Sequence, residues 1–185
     1  VMLGVTGPNE YENNVNNNWY TNYMAQWCLN YTAEVQSEMA QKHPEKWRTL
    51  SKKLNLKNEE AAEWRKIAAA MYFPRHPEKE LFLQQDGFLD KTLDTVATID
   101  PKERPLNQHW SWDRILRSPY IKQADVLQGF YFFGSDFDQD NLARHFDFYE
   151  PFTVHESSLS PCIHAILAAR LDKIQMAYAF YLQTA

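Results

Sequence analysis

The stretch Trp19-Tyr20-Thr21-Asn22-Tyr23-Met24-Ala25-Gln26-Trp27-Cys28-Leu29-Asn30-Tyr31-Thr32-Ala33-Glu34-Val35 decides the fold class. Its large apolar residues Trp19, Tyr23, Trp27, Tyr31 and Val35 recur every four positions, with Met24 and Met39 beside the row, as on one face of an amphipathic helix. Next along the chain, Pro44 suits a first helical turn and opens a second helix through Trp47 and Leu50 to Leu54, before Asn55. A third helix is expected with Asn58 as its cap, Glu59 and Glu60 in its first turn, and Arg65 and Lys66 further along, in line with the helix dipole; Pro74 ends it. Residues 73–119 hold five of the nine prolines and read as a long connecting region. Within it Leu81-Phe82-Leu83-Gln84-Gln85-Asp86-Gly87-Phe88 reads as extended, with Gly87 marking a turn or a close backbone approach. Helices are expected to resume over 120–133, 139–149 and 161–184. With no alternating strand series and no internal repeat, the fold class is all-α with long loops.

The 185 residues suffice for one domain, and 44% apolar with 15% aromatic residues can fill its core. A net charge of −5 without a polybasic face argues against nucleic acid. No apolar run is long enough to span a membrane, and the start at Val1 lacks a charged signal-peptide region. Two cysteines, Cys28 and Cys162, are too few for a disulfide scaffold and point to a reducing, cytoplasmic setting. The six histidines show neither HxxxH nor HExxH spacing, so no metal site is expected. A start without Met, and a helical pattern over 165–185 with no stop signal, read as a piece of a longer protein.

Three segments carry candidate chemistry. From Gly4 to Asn18 the chain is dense in turn formers and amides, which suits either a polyhydroxylated ligand or simple turns and helix capping. Glu10 follows the rigid Gly7-Pro8 turn and is flanked by Tyr11; a carboxyl held near aromatics has a raised pKa and can act as a general acid, whereas an ordinary surface Glu has no such role. In His155-Glu156-Ser157-Ser158-Leu159-Ser160-Pro161, Ser160 is placed to cap a helix whose first residue is Pro161. Its free N–H groups, two further hydroxyls and an imidazole would hold a phosphate; the alternative is a Ser-rich cap. In the third segment Lys122 falls in the first turn of the expected 120–133 helix, against the macrodipole, so either an anion or sugar partner or plain solvation explains it, with the Gln123 amide alongside.

Together these segments resemble glycoside hydrolase family 65, the inverting disaccharide phosphorylases acting on α-glucosides. The run Gly4-Val5-Thr6-Gly7-Pro8-Asn9-Glu10-Tyr11 with the following Asn-rich residues is similar to the loop bearing that family's proton donor. The likeness continues through Gln84-Gln85-Asp86-Gly87-Phe88, Ile121-Lys122-Gln123-Ala124-Asp125-Val126-Leu127 and Tyr149-Glu150-Pro151-Phe152-Thr153-Val154-His155-Glu156-Ser157-Ser158-Leu159-Ser160-Pro161, nearly the whole chain. The Asn9-Glu10-Tyr11-Glu12-Asn13-Asn14 form with Trp19 is most similar to maltose-cleaving members, while trehalose, kojibiose and nigerose phosphorylases share most of the pattern.

The resemblance implies that residues 1–185 are the C-terminal portion of a central (α/α)6-barrel catalytic domain, with no complete second domain and no activity alone. It implies Glu10 as general acid, Lys122 and Gln123 as substrate-binding residues, and His155, Ser157 and Ser158 as the phosphate site. The substrates implied are an α-linked glucose disaccharide and inorganic phosphate, with no other cofactor, and the full-length members of the family are often homodimers. An inverting α-glucoside hydrolase on the same barrel and a non-catalytic carbohydrate-binding module are the alternatives. Glu156, inside the phosphate segment, would repel phosphate unless it turns away or pairs with a cation; facing the anomeric centre opposite Glu10, it would be a water-activating base.

Overall fold

The computed structural model describes residues 1–57 and 59–184, so Asn58, read as a helix cap, lies outside the described residues. Regular structure there is helical, and β-type pairing is limited to isolated bridges such as Val5 with Val15 and Ile121 with Thr153. The chain divides into two compact units, one of residues Asn22–Tyr72 and one joining Val1–Thr21 to Phe73–Ala185.

The smaller unit contains most of helix α1 (Trp19–Lys42), α2 (Pro44–Leu54) and α3 (Glu60–Ala69). Pro44 lies in the first turn of α2, as expected, and Asn55 ends that helix in the left-handed region at φ 54°. Polar side chains join α1 to the far end of the unit: Asn22 donates to the Tyr72 carbonyl at 2.7 Å and Gln26 to that of Ala68 at 2.8 Å. The apolar row does not form one buried stripe. Trp19 is buried, whereas Trp27, Tyr31 and Val35 are exposed. A step of four residues overshoots a full turn by about 40°, so the row drifts by about 160° around the helix from Trp19 to Val35.

In the larger unit Trp19 is the centre of an aromatic cluster, stacked on Phe130 at 5.9 Å and tilted against Phe82 at 5.0 Å. Phe130 lies on α6 (Val126–Phe132), which packs against α7 (Gln139–Tyr149) and α8 (Leu159–Arg170). His145 joins the cluster: its Nε2 accepts the Phe82 N–H at 2.7 Å, which leaves Nδ1–H to donate to the Asn141 carbonyl at 2.8 Å. Burial pushes its pKa down to about 4, so the ring is neutral. Two expected helix boundaries are corrected. Residues 120–125 are irregular and α6 starts only at Val126, because Ile121 pairs with residues 152–154 instead. The stretch 161–184 is two helices, α8 and α9 (Ile174–Thr184), separated by a turn with Asp172 at φ 57°.

The region read as connecting also holds two short helices, α4 (Leu106–His109) and α5 (Trp112–Arg117), the latter capped by Ser111. They bury Leu106 and Ile115 against Tyr11, Ile99, Tyr120 and Val154, a second core that lies directly under the candidate site. Gly87 adopts φ 74°, consistent with the expected turn. Gly129 is required for a different reason: a Cβ there would overlap the Trp19 indole. Gly129→Ala is therefore expected to lower stability by about 1–3 kcal/mol despite alanine's better helix propensity, read as a lower urea midpoint of the enzyme carrying this segment.

Candidate active site

The loop from Gly4 to Asn18 is held by its own amides. Val5 and Val15 exchange backbone hydrogen bonds at 2.8 and 2.9 Å, and Asn14 and Asn17 take left-handed conformations at φ 53° and 51°. The Asn16 side chain accepts from Gly4 N–H, and the Asn17 side chain accepts from Met2 N–H and donates to Asp86. Asn18 caps α1 by accepting from Thr21 N–H at 2.9 Å. Of the two readings of these asparagines, the structure favours loop and cap construction over sugar contact.

Glu10 stands exposed at the tip of this loop, where Lys122 Nζ donates to its Oε2 and Gln123 supplies a further side-chain hydrogen bond. Of the two readings of Glu10, a raised pKa near aromatics is not what the structure gives: the residue is exposed and its pKa is lowered. The hydrogen bond from the Lys122 ammonium holds the carboxyl below the ordinary range, outweighing slight desolvation. Lys122 is in an irregular segment rather than a first helical turn, so no helix dipole opposes it; its backbone N–H donates to Asn9 Oδ1 at 2.9 Å. Gln123 is buried, and its Oε1 meets no donor, leaving an acceptor open beside Glu10.

The turn with His155, Ser157 and Ser158 reaches the same place through two links. Ile121 pairs in parallel with Thr153, its N–H donating to the Phe152 carbonyl and its carbonyl accepting from Val154 N–H, both at 2.9 Å. Tyr11, next to Glu10, donates its hydroxyl to Glu156 Oε2 at 3.3 Å. Glu156 also receives Arg104 Nε at 2.8 Å and the Leu106 N–H at 2.8 Å, so the carboxylate pairs with a cation, as the phosphate reading required. Burial and the Glu156 charge push the Tyr11 hydroxyl up to about 12, keeping it a proton donor to that carboxylate.

The helix start itself differs from expectation. Ser158, not Ser160, is the residue before α8, and Ser160 is buried in the first turn with its Oγ 2.9 Å from His155 Nδ1. Leu159 N–H goes to Ser157 Oγ and Ser160 N–H to the Ser157 carbonyl, while Pro161 has no N–H. The first-turn amides are thus not free for an anion, and the groups left are the Ser157 and exposed Ser158 hydroxyls and His155 Nε2, which meets no hydrogen-bond partner among the described residues. His155, at φ 52°, packs against His164 and Phe180 at 4.5 and 4.6 Å. Burial, with His164 and Arg104 nearby, drives its pKa down to about 3, so it offers a neutral ring and no positive charge.

Three structural residues escaped the sequence reading. Asp125 accepts from Asn18 and from the Asn9 backbone; Arg104 holds Glu156; and Lys91, partly buried, pairs with Glu12 and donates to the Leu116 and Ser118 carbonyls at 3.0 and 2.8 Å. Only Asp125 carried a signal, its place two residues after Gln123. Arg104, Glu150, Val154 and His155 are among the residues lining a cavity of about 570 Å³, which Glu10 and Lys122 do not line. Among the described residues no group of three His, Cys, Asp or Glu could hold a metal ion. Replacing Arg104 with Met strands the Glu156 carboxylate and is expected to lower the unfolding midpoint, whereas adding Glu156→Gln should restore part of it; the double-mutant cycle should give a coupling of about 1 kcal/mol or more.

The model of the glycosyl hydrolase family 65 central catalytic domain matches residues 1–185. Maltose phosphorylase of Bacillus subtilis (strain 168) is 54% identical, over 100% of this chain and 24% of that protein. Alpha,alpha-trehalose phosphorylase of Thermoanaerobacter brockii is 41% identical, over 98% and 23%. The solved structure named "Putative kojibiose phosphorylase from human microbiome" superposes with a TM-score of 0.86 at 36% identity, over 97% of this chain and 23% of that one. The chain therefore spans about a quarter of the length of these relatives. Its all-helical regular structure and this likeness agree with the all-α class and with part of an (α/α)6 barrel. Matched by the family model over its whole length, the chain belongs to glycosyl hydrolase family 65, within the central catalytic domain.

Proposed function

We propose that this segment, as the later portion of the barrel of a full-length cytoplasmic enzyme, carries the acid and phosphate sides of an inverting phosphorolysis of an α-glucobiose, with maltose as the substrate. The observation that carries the reading is the treatment of Glu156. Its carboxylate is occupied by Arg104, Leu106 N–H and Tyr11, so it is not free to serve as the water-activating second carboxylate that the hydrolytic alternative would ask of it. Phosphate needs no base, because it arrives charged and requires only donors that hold it in line.

In this reading Glu10 protonates the glycosidic oxygen as the bond from that oxygen to the anomeric carbon breaks. A phosphate oxygen forms the new bond to that carbon from the opposite face. The products are glucose and β-glucose 1-phosphate, and Glu10 is left as a carboxylate. Lys122 and Gln123 hold sugar hydroxyls, and His155, Ser157 and Ser158 hold phosphate, with inorganic phosphate the co-substrate and no other cofactor. Lys122 holds the Glu10 carboxyl below the ordinary range, so Lys122 must turn to a substrate oxygen for Glu10 to carry its proton. The support for maltose is the relative of that name at 54% identity. A homodimer of the full-length enzyme is part of the same proposal, as is the cytoplasm, where Cys28 and Cys162, both unpaired, stay reduced.

Phosphate-dependent loss of maltose by the full-length enzyme is the expected result; loss without phosphate would establish hydrolysis instead. Glu10→Gln should abolish cleavage while sugar binding survives, and Ser157→Ala with Ser158→Ala should raise the KM for phosphate about tenfold or more, since each donor to a charged oxygen contributes roughly 1.5–3 kcal/mol. A general acid works only while protonated, so kcat/KM falls as pH rises through its free-enzyme pKa. Lys122→Met removes the group that depresses the Glu10 pKa, so this basic limb is expected to move to higher pH while kcat/KM drops overall, both read from a pH–rate profile.

A further inference from the structure

We propose that Asp125 is a positioning residue that sets the placement of Glu10 against Lys122 by anchoring the Asn9 backbone to the segment that bears Lys122 and Gln123. The inference rests on the reading of Glu10 as general acid. Asp125 is buried, and its donors come from two other parts of the chain: Asn9 N–H reaches Oδ2 at 3.2 Å, and Asn18 Nδ2 reaches Oδ1 and Oδ2 at 3.0 and 3.1 Å. Asn18 is the cap of α1, so the carboxylate is referenced to the rigid start of that helix. Asn9 then closes the frame, its Oδ1 accepting from Lys122 N–H at 2.9 Å and Tyr11 N–H at 3.2 Å. Gly7 leaves room for this closure, since a Cβ there would overlap both Asp125 Oδ2 and Asn18 Nδ2. Glu10 is thus flanked by two residues whose backbone N–H groups are tied down, one by Asp125 and one by Asn9.

The chemistry of the anchor argues for a role beyond stability. Among the described residues no cation pairs with Asp125, and burial pushes its pKa up to about 7 against the opposing hydrogen bonds of Asn18 and Asn9. A carboxylate buried among amides is a costly way to hold two loops together. What its ionised form supplies, and an amide does not, is two acceptor oxygens and no donor: Asn at this position would turn an NH2 toward Asn18 or the Asn9 N–H. The titratable groups facing Asp125 are Tyr20 and Tyr149, both with raised pKa values from burial and from its charge; those facing Glu10 are Lys122 and, as a hydrogen-bond donor, Gln123.

The test uses the full-length enzyme containing this segment, with maltose and inorganic phosphate. Asp125→Asn is expected to lower kcat about 10²-fold, to leave the KM values for maltose and phosphate within threefold, and to move the basic limb of kcat/KM to higher pH because Glu10 no longer sits against Lys122. An unchanged kcat, or a loss of kcat with an unmoved limb in a variant whose thermal midpoint has simply fallen, would overturn the proposal. Should Asp125→Asn fail to fold, Asn9→Ala keeps the carboxylate and removes the acceptor for Lys122 N–H; it should reproduce the limb shift, and an unshifted limb overturns the proposal equally. Failure of the underlying reading shows separately, as no phosphate-dependent cleavage by the unmodified enzyme or as activity retained by Glu10→Gln.

Discussion

A carboxylate with 8% of its side chain exposed has to be given partners, and Glu156 draws them from three parts of the chain. Arg104 supplies the opposite charge, Leu106 a backbone N–H at the start of α4, and Tyr11 a hydroxyl from the loop of Glu10. Because an unpaired buried charge is so unfavourable, the three groups cannot drift apart without exposing or stranding the carboxylate. The core formed by Tyr11, Leu106, Ile115 and Val154 packs under these polar contacts and closes around the same residues. The Glu10 loop and the His155–Ser158 turn, 145 residues apart, are neighbours because of this arrangement.

Three carboxylates at or near the candidate site live in three environments, and environment separates their roles. Glu10 is exposed and held ionised by an ammonium; Asp125 is buried among amides with its pKa raised; Glu156 is buried with a guanidinium. Only the first is placed to exchange a proton with something outside the protein. Histidine shows the same dependence on surroundings. His145, His155 and His164 are all held neutral by burial, with pKa values of about 4, 3 and 4, so none of them carries a positive charge.

Much of the fold was legible along the chain. Pro44, Asn55 and Gly87 mark local backbone geometry, which depends on one residue and its neighbours, and each behaves as its side chain dictates. The all-α class followed from helical periodicity. Boundaries were less legible where tertiary pairing competes with helix propensity: Ile121 leaves the helix to pair with Thr153, and Ser160 gives up capping to meet His155 inside the first turn. The Trp19 row misled for a geometric reason, since spacing by fours drifts off any single face: Trp19 is buried in the aromatic core while Trp27, Tyr31 and Val35 are exposed.

At the site, the sequence by itself determined which residues have the chemistry: a carboxyl behind Gly7-Pro8, a Lys-Gln pair, and a run of hydroxyls after His155. It also marked Glu156 as a charge that a phosphate reading of that segment could accommodate only if it turned away or paired with a cation. Tertiary structure decided the rest. That the cation is Arg104, that Lys122 lowers rather than burial raises the Glu10 pKa, and that the asparagines hold the loop depend on distances between segments up to 145 residues apart. Hydrogen-bond energies fall off within a few ångströms and screened charge interactions within about 10 Å, so both are set by which groups the fold brings together and not by their order along the chain.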